Sequence, residues 1–262
     1  MAQVELAHMT WKEVEAARDR GAVVLIPIGT QEQNGLVCPL ATDGLIVFET
    51  ARRVAQETGA LVAPLVSYSY SARHHGFSGT ISLQPETLRR LLVDICENLI
   101  ADGFDHLLFV NSHETNDPIM EHVARDIRQR LGIILGYFSP MSLAEGASHD
   151  LFPSMAGKHG HGDERTASML LSFVPESVRM DAAQPNSSPR DFEGMKVLGT
   201  ERVKVGEGTF GLYLQLSDVR ETGGNGNPAA ADGKLGAELM GRVVHLAADY
   251  VRTFGKLRVR ER

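Results

Sequence analysis

An α/β fold with a mainly parallel sheet and helices on both faces is predicted by three observations in this 262-residue sequence. Apolar segments of strand length alternate with segments of helical spacing, the pattern of βα units. The strands are nearly continuous apolar runs, as expected when both faces of a sheet are covered. Strands also run directly into polar loops. Right-handed crossovers bring such loops to the C-terminal edge of a parallel sheet, where α/β folds build sites.

The elements follow in order. Thr10 to Glu13 forms a capping-box pattern that starts a short helix through Asp19, and Gly21 stops it. Val23 to Ile28 is the first strand. Gly44 to Gln56 has helical spacing, with Ile46, Val47, Thr50 and Val54 on one side. Leu61 to Val66 is the second strand. Pro85 suits the first turn of a helix to Ala101, whose buried stripe is Leu88, Leu91, Leu92, Ile95 and Leu99. His106 to Val110 is the third strand. Asp117-Pro118 begins a helix through Leu131, and Ile133 to Phe138 is the fourth strand. Residues 141–160 contain Gly, Ser and Pro and are expected to be irregular. Asp163 to Phe173 is a further helix. Gln184 to Glu207 is polar and is expected to be a surface excursion, and Asp232 to Phe254 is a closing amphipathic helix. No repeat of fixed period appears, so one domain spanning 1–262 is expected.

Composition excludes some function classes. The net charge is −7 and no basic block occurs, so nucleic acid is not an expected partner. No apolar run approaches the ~18 residues of a membrane span. The N-terminus lacks the charged and apolar regions of a secretion signal. Two cysteines without metal or redox spacing suit a reducing cytoplasm.

The topology gathers ionisable residues at one sheet edge. Glu32 and Asp43 follow the first strand, His74 and His75 the second, and His113 and Glu114 the third. Two carboxylates close together repel, and a divalent metal, a shared proton or a basic side chain must offset that. Read alone, Glu32 suits a solvated loop, Asp43 a helix N-cap, and His113 a hydrogen-bonded loop position. His161 and Glu164, near a helix start, suit a solvated N-terminus with acids favoured by the helix dipole.

The run from Pro27 to Asp43 resembles the signature of the creatininase (creatinine amidohydrolase) family, P-x-G-x-x-E-Q-H-G-x-H-x-P-L-x-T-D. Pro27, Gly29, Glu32, Gln33, Gly35, Pro39, Leu40, Thr42 and Asp43 fall in register. Asn34 and Val37 stand where that signature has histidines. Asn111 to Asn116 resembles the family's N-G-H-x-x-N loop, with Ser112 for glycine. His159 to Glu164 resembles H-A-G-E-x-E-T-S, and counting back from Pro175 puts His161 on the catalytic histidine and Thr166 on the second glutamate. His74 to Thr80 resembles H-x-x-F-P-G-T, with Ser78 for proline, and Gly223 to Gly236 resembles a fifth segment.

The resemblance implies a creatininase-like fold and a metal centre held by Glu32, Asp43 and His113, with Asn34 at a weakened fourth position. Two oxygens and one nitrogen suit Mn²⁺ or Zn²⁺, with one or two ions per chain. His161 would carry a proton to the leaving group, and Glu164 and Glu114 would help as catalytic groups or ligands. His74, Ser78, Cys38 and His159 are expected to face the substrate. The implied activity is a metal-dependent hydrolase that opens a small polar cyclic amide. Opening of an inosose-like cyclic ketone is an alternative, and a binding or scaffold protein that has lost catalysis is another. The implied assembly is a homo-oligomer, a hexamer in the family.

Overall fold

Val24–Ile28 (β1) is buried along its whole length, which a run of Val, Leu and Ile tolerates only between two layers. In the computed structural model, which describes residues 3–153, 160–186 and 188–260, β1 is a central strand of a parallel sheet. Its neighbours are Leu61–Val62 (β2) and Leu107–Asn111 (β3), and Gly136–Phe138 (β4) lies beyond β3, giving the order β2-β1-β3-β4. The β1–β3 register runs from Val24↔Leu107 to Ile28↔Asn111. The loops after Ile28 and Asn111 therefore leave the same edge side by side.

Alternate strand residues enter two cores, as a period of two requires. Leu25, Leu108 and Val110 pack with Thr42–Thr58 (α2) and Gly233–Phe254 (α8) on one face. Val24, Ile26, Ile28 and Phe109 pack on the other face with Trp11–Asp19 (α1), Pro85–Ala101 (α3) and Asp117–Leu131 (α4). Each such buried aliphatic side chain contributes roughly 1.5–3 kcal/mol relative to exposure. A third cluster joins Val37, Cys38 and Ile46 to the start of α8, to Pro140–Ala147 (α5) and to Glu164–Leu171 (α6). It backs the site from behind.

Several expectations needed correction. The second strand is only two residues, because Pro64 interrupts the run, and Val66 returns as an isolated parallel bridge to Ile28. The fourth begins at Gly136 rather than Ile133. Residues 140–147 are helical where irregular chain was expected, with Pro140 at the first turn and the Ser139 side chain accepting from the Ser142 amide. The polar excursion contains a three-stranded antiparallel sheet, Lys196–Gly199 (β5), Arg202–Val205 (β6) and Gly208–Gly211 (β7). Val203 is its one buried strand residue, packed on Leu214 and, from Leu216–Val219 (α7), Val219. Among the described residues no helix is long and apolar enough to cross a membrane.

One close approach sets the site's geometry. A Cβ placed on Gly29, just past β1, would collide with the backbone of Gly44 in the first turn of α2. The missing side chain at Gly29 lets the strand end and the helix start meet, which brings the Glu32 loop against Asp43. Gly29→Ala is therefore expected to destabilise the fold by about 1–3 kcal/mol through overpacking. Urea denaturation of the variant beside the parent chain checks this.

Candidate metal centre

Glu32 follows β1 and is completely buried, a position a carboxylate keeps only with partners. The Ser71 hydroxyl donates to its Oε2 in a very short hydrogen bond. Its Oε1 takes part in no aligned hydrogen bond. Yet three imidazoles surround that oxygen, with His113 Nδ1 at 3.1 Å, His161 Nε2 at 3.4 Å and His74 Nε2 at 3.9 Å. One ligand atom from each of these four residues lies within 4.8 Å of the others. Ligands at about 2.0–2.1 Å on a tetrahedral zinc ion stand roughly 3.3 Å apart. The spacing fits donors arranged about a shared cation better than a set of direct hydrogen bonds.

Asp43 lies in the first turn of α2, where Ala41 is the N-cap. Its side chain is turned to the site instead of capping the helix. Oδ2 accepts from the Thr30 hydroxyl at 2.7 Å and stands 3.6 Å from His113 Nδ1. Burial pushes the Asp43 pKa up, but His113, His161 and Thr30 outweigh it and hold the carboxyl well below the usual range. His113 leaves the end of β3 and is buried. Burial lowers its pKa, but Glu32 and Asp43 prevail and raise it to about 9. Its proton is thus the cation that the two carboxylates hold when no metal competes.

The other two imidazoles lie in parallel, His74 on His161, with centroids 4.3 Å apart and planes 9° from coplanar. Gln33 fastens both. Its backbone carbonyl is 2.8 Å from His161 Nδ1, and its side-chain Nε2 is 3.1 Å from His74 Nδ1. With Nδ1–H donated to that carbonyl, His161 turns a lone pair on Nε2 toward the centre. Burial, with His161 and His113 nearby, drives the His74 pKa far down. His74 is a neutral imidazole, and its Nε2, the nitrogen nearest Glu32, accepts a hydrogen bond from Arg73 Nε at 3.1 Å.

The expected residues divide as follows. Glu32, His113 and His161 meet in the cluster, Asp43 adjoins it, and His74 belongs to the cluster itself rather than to an outer substrate wall. Asn34 is buried near them, and its Nδ2 has no hydrogen-bond partner. Glu114 is exposed on the wall of the adjoining cavity. Glu164 is buried, but its Oε2 accepts from the Asn227 amide at 2.7 Å, tying α6 to the glycine-rich loop. Two substrate expectations are corrected. Cys38 is packed among Val37, Ile46 and α6, where burial and Asp163 push its thiol up to about 12. Ser78 is exposed on its turn and does not line the cavity. His159 lies outside the described residues. Sequence reasoning missed Ser71 and Thr30, which orient the carboxylates, and Arg165.

The cavity beside the centre has a volume of about 260 Å³ and is lined by Asp43, His113 and His161, with Asn34, Ser112 and Arg165. A larger groove of about 720 Å³ runs between α4 and β4 and touches none of the clustered imidazoles.

Comparisons with known proteins bear on the family and the fold. The family model described as "Creatininase: Creatinine amidohydrolase" matches residues 7–251. The chain is similar to the creatinine amidohydrolase of Pseudomonas putida, 28% identical over 194 residues, which is 68% of this chain and 75% of that protein. It is also similar to the mycofactocin precursor peptide peptidase of Mycobacterium ulcerans (strain Agy99), 33% identical over 167 residues. That match spans 60% of this chain and 61% of the peptidase's length. The fold matches a solved structure titled "Creatininase Mn" with a TM-score of 0.80 at 24% identity, covering 98% of this chain and 100% of that one.

Proposed function

The chain belongs to the creatininase family, and from that premise we propose that it is a metal-dependent hydrolase that opens a small polar cyclic amide. The observation that carries the proposal is the ring of His74, His113 and His161 around an unbonded oxygen of buried Glu32. Glu32, Asp43 and His113 would hold the ion, Mn²⁺ or Zn²⁺ by the mixture of oxygen and nitrogen donors. When bound, the ion supplies Lewis acidity that activates water and polarises the scissile carbonyl.

The remaining chemistry falls to the chain. Ser71 and Thr30 fix one oxygen each of Glu32 and Asp43, so neither carboxylate rotates away from the centre. His161 is the most exposed imidazole of the cluster, with its side chain 20% accessible, and it lines the cavity. Its Nδ1 is anchored, so Nε2 is free to take the proton released by the attacking water and then hand it to the departing nitrogen. Asn34 offers only a neutral amide where an imidazole would suit a second ion. One ion per chain is the expected stoichiometry.

Metal analysis after loading with Mn²⁺ or Zn²⁺, followed by turnover of ring amides, tests the reading. About one equivalent of metal and metal-dependent ring opening are expected. Cyclic ketones belong in the same screen, because water adds to a polarised carbonyl in either case. Turnover of ketones alone would move the substrate class. A chain that takes up no metal would be a binding protein instead.

A further inference from the structure

Arg165 occupies the first turn of α6, the end of a helix where a cation is least welcome. It is 3% exposed, and neither Nε nor Nη1 has a hydrogen-bond partner. Its counter-charge, Asp163, stands 3.7 Å from Nη2 and is already engaged, accepting from the Thr166 amide at 2.7 Å and the Gly160 amide at 3.1 Å. Leaving buried donors of a charged group unmade costs the full desolvation of those groups with nothing to offset it. Native chains tolerate that where a ligand completes the bonds.

Arg165 is not alone. Asn34 Nδ2 and Ser112 Oγ are also buried and unpartnered, and all three residues line the cavity that holds Asp43, His113 and His161. Three side chains with unpartnered donor atoms therefore share the wall that faces the metal centre. Glu114 and Glu145 lie on the same cavity, but both are exposed, and water screens them far more than it screens a buried guanidinium.

We propose that Arg165, with Asn34 and Ser112, receives a carboxylate of the substrate, so that this hydrolase acts on amides that carry a free acid group. The proposal rests on the hydrolase reading above and names the substrate class for the same site. One guanidinium matches the single charge of a carboxylate, and a planar donor fork suits its two oxygens. The acid could belong to a ring amide or be the C-terminus of a short peptide. The chemistry at Arg165 is the same in both.

Matched pairs test it. Binding of pyroglutamate and of uncharged pyrrolidinone to the metal-free chain is measured by calorimetry, for the parent, Arg165→Met and Arg165→Lys. Turnover by the metal-loaded chain is measured for pyroglutamate against pyroglutamate amide, and for trialanine against trialanine amide. The acid of at least one pair is expected to be preferred by about tenfold or more in the parent, as a charge-assisted hydrogen bond allows. Arg165→Met should erase the preference, and Arg165→Lys should keep part of it. The pair that shows the preference identifies the source of the acid. Equal treatment of acid and neutral partner in both pairs overturns the proposal, as does a preference that survives Arg165→Met. Should Arg165→Met not fold, the pairs measured on the parent decide. Metal-dependent turnover without charge preference would sink this proposal alone. Charge-selective binding by a chain that takes up no metal would sink the hydrolase reading alone.

Discussion

Glu32→Gln is expected to empty the centre of metal and to cut hydrolysis by about a thousandfold or more. The amide is nearly isosteric and can still accept from Ser71, so the loop keeps its path. What it loses is the charge around which His74, His113 and His161 are gathered. Lewis-acid stabilisation of several kcal/mol disappears with the ion, and each 1.36 kcal/mol is tenfold in rate. The same change leaves protonated His113 with only Asp43 as a counter-charge. Removing one partner of a buried ion pair costs on the order of 3–5 kcal/mol, and the remaining carboxylate should keep the loss near the lower end. Metal content and urea denaturation in chelator separate the two effects. Full metal occupancy in the variant would show that Glu32 is not a ligand.

Metal affinity is expected to rise by about tenfold per pH unit through neutrality and to level off near pH 9. The reason is that His113, raised to about 9, must surrender its proton before its nitrogen can bind. The sign for stability of the metal-free chain is the opposite. A histidine raised from 6.5 to about 9 stabilises the fold fully below pH 6.5, and that contribution is lost as pH climbs through 9. The shift corresponds to about 3 kcal/mol. His74 is displaced the other way, so its burial penalises the fold increasingly as pH falls below 6.5. The depressed Asp43 adds to the acid-side loss, since its stabilisation is present above its ordinary pKa of 3.8 and fades as pH falls further. Metal-free stability should therefore peak near pH 6.5. Saturating metal should abolish the alkaline decline, because His113 is then held without its proton. Urea midpoints at neutral and alkaline pH, with and without metal, check both arms. An alkaline decline undiminished by metal would argue against His113 as a ligand.

The parts of the fold that were legible are those with strong local chemistry. Helices α3 and α4 carry Pro in their first turn and apolar stripes behind it, and both ends of each match the expected bounds. The hidden helix α5 had a readable start in Ser139-Pro140, but its small Ala, Ser and Gly residues concealed the period. The sheet β5–β7 buries one strand residue, so the alternation that identifies a half-buried strand was missing. At the site, Glu32, Asp43 and His113 were visible because a motif and a topology pointed to the same edge. His161 was visible through the motif alone. Arg165 could not be found this way, because exposed arginines are common near helices and no local pattern marks a buried, under-bonded one. Cys38 misled because its loop runs past the site, while its own side chain turns into the packing beneath.

That buried thiol has a practical corollary. Cys38 and Cys96 are both free and enclosed, one under the metal-binding loop and the other in α3 on the opposite side of the sheet. A thiol reagent can reach either only when its surroundings open. The pair is thus a built-in two-channel reporter. Modification of Cys38 that slows on adding metal while that of Cys96 does not would reveal the centre breathing separately from the rest of the molecule.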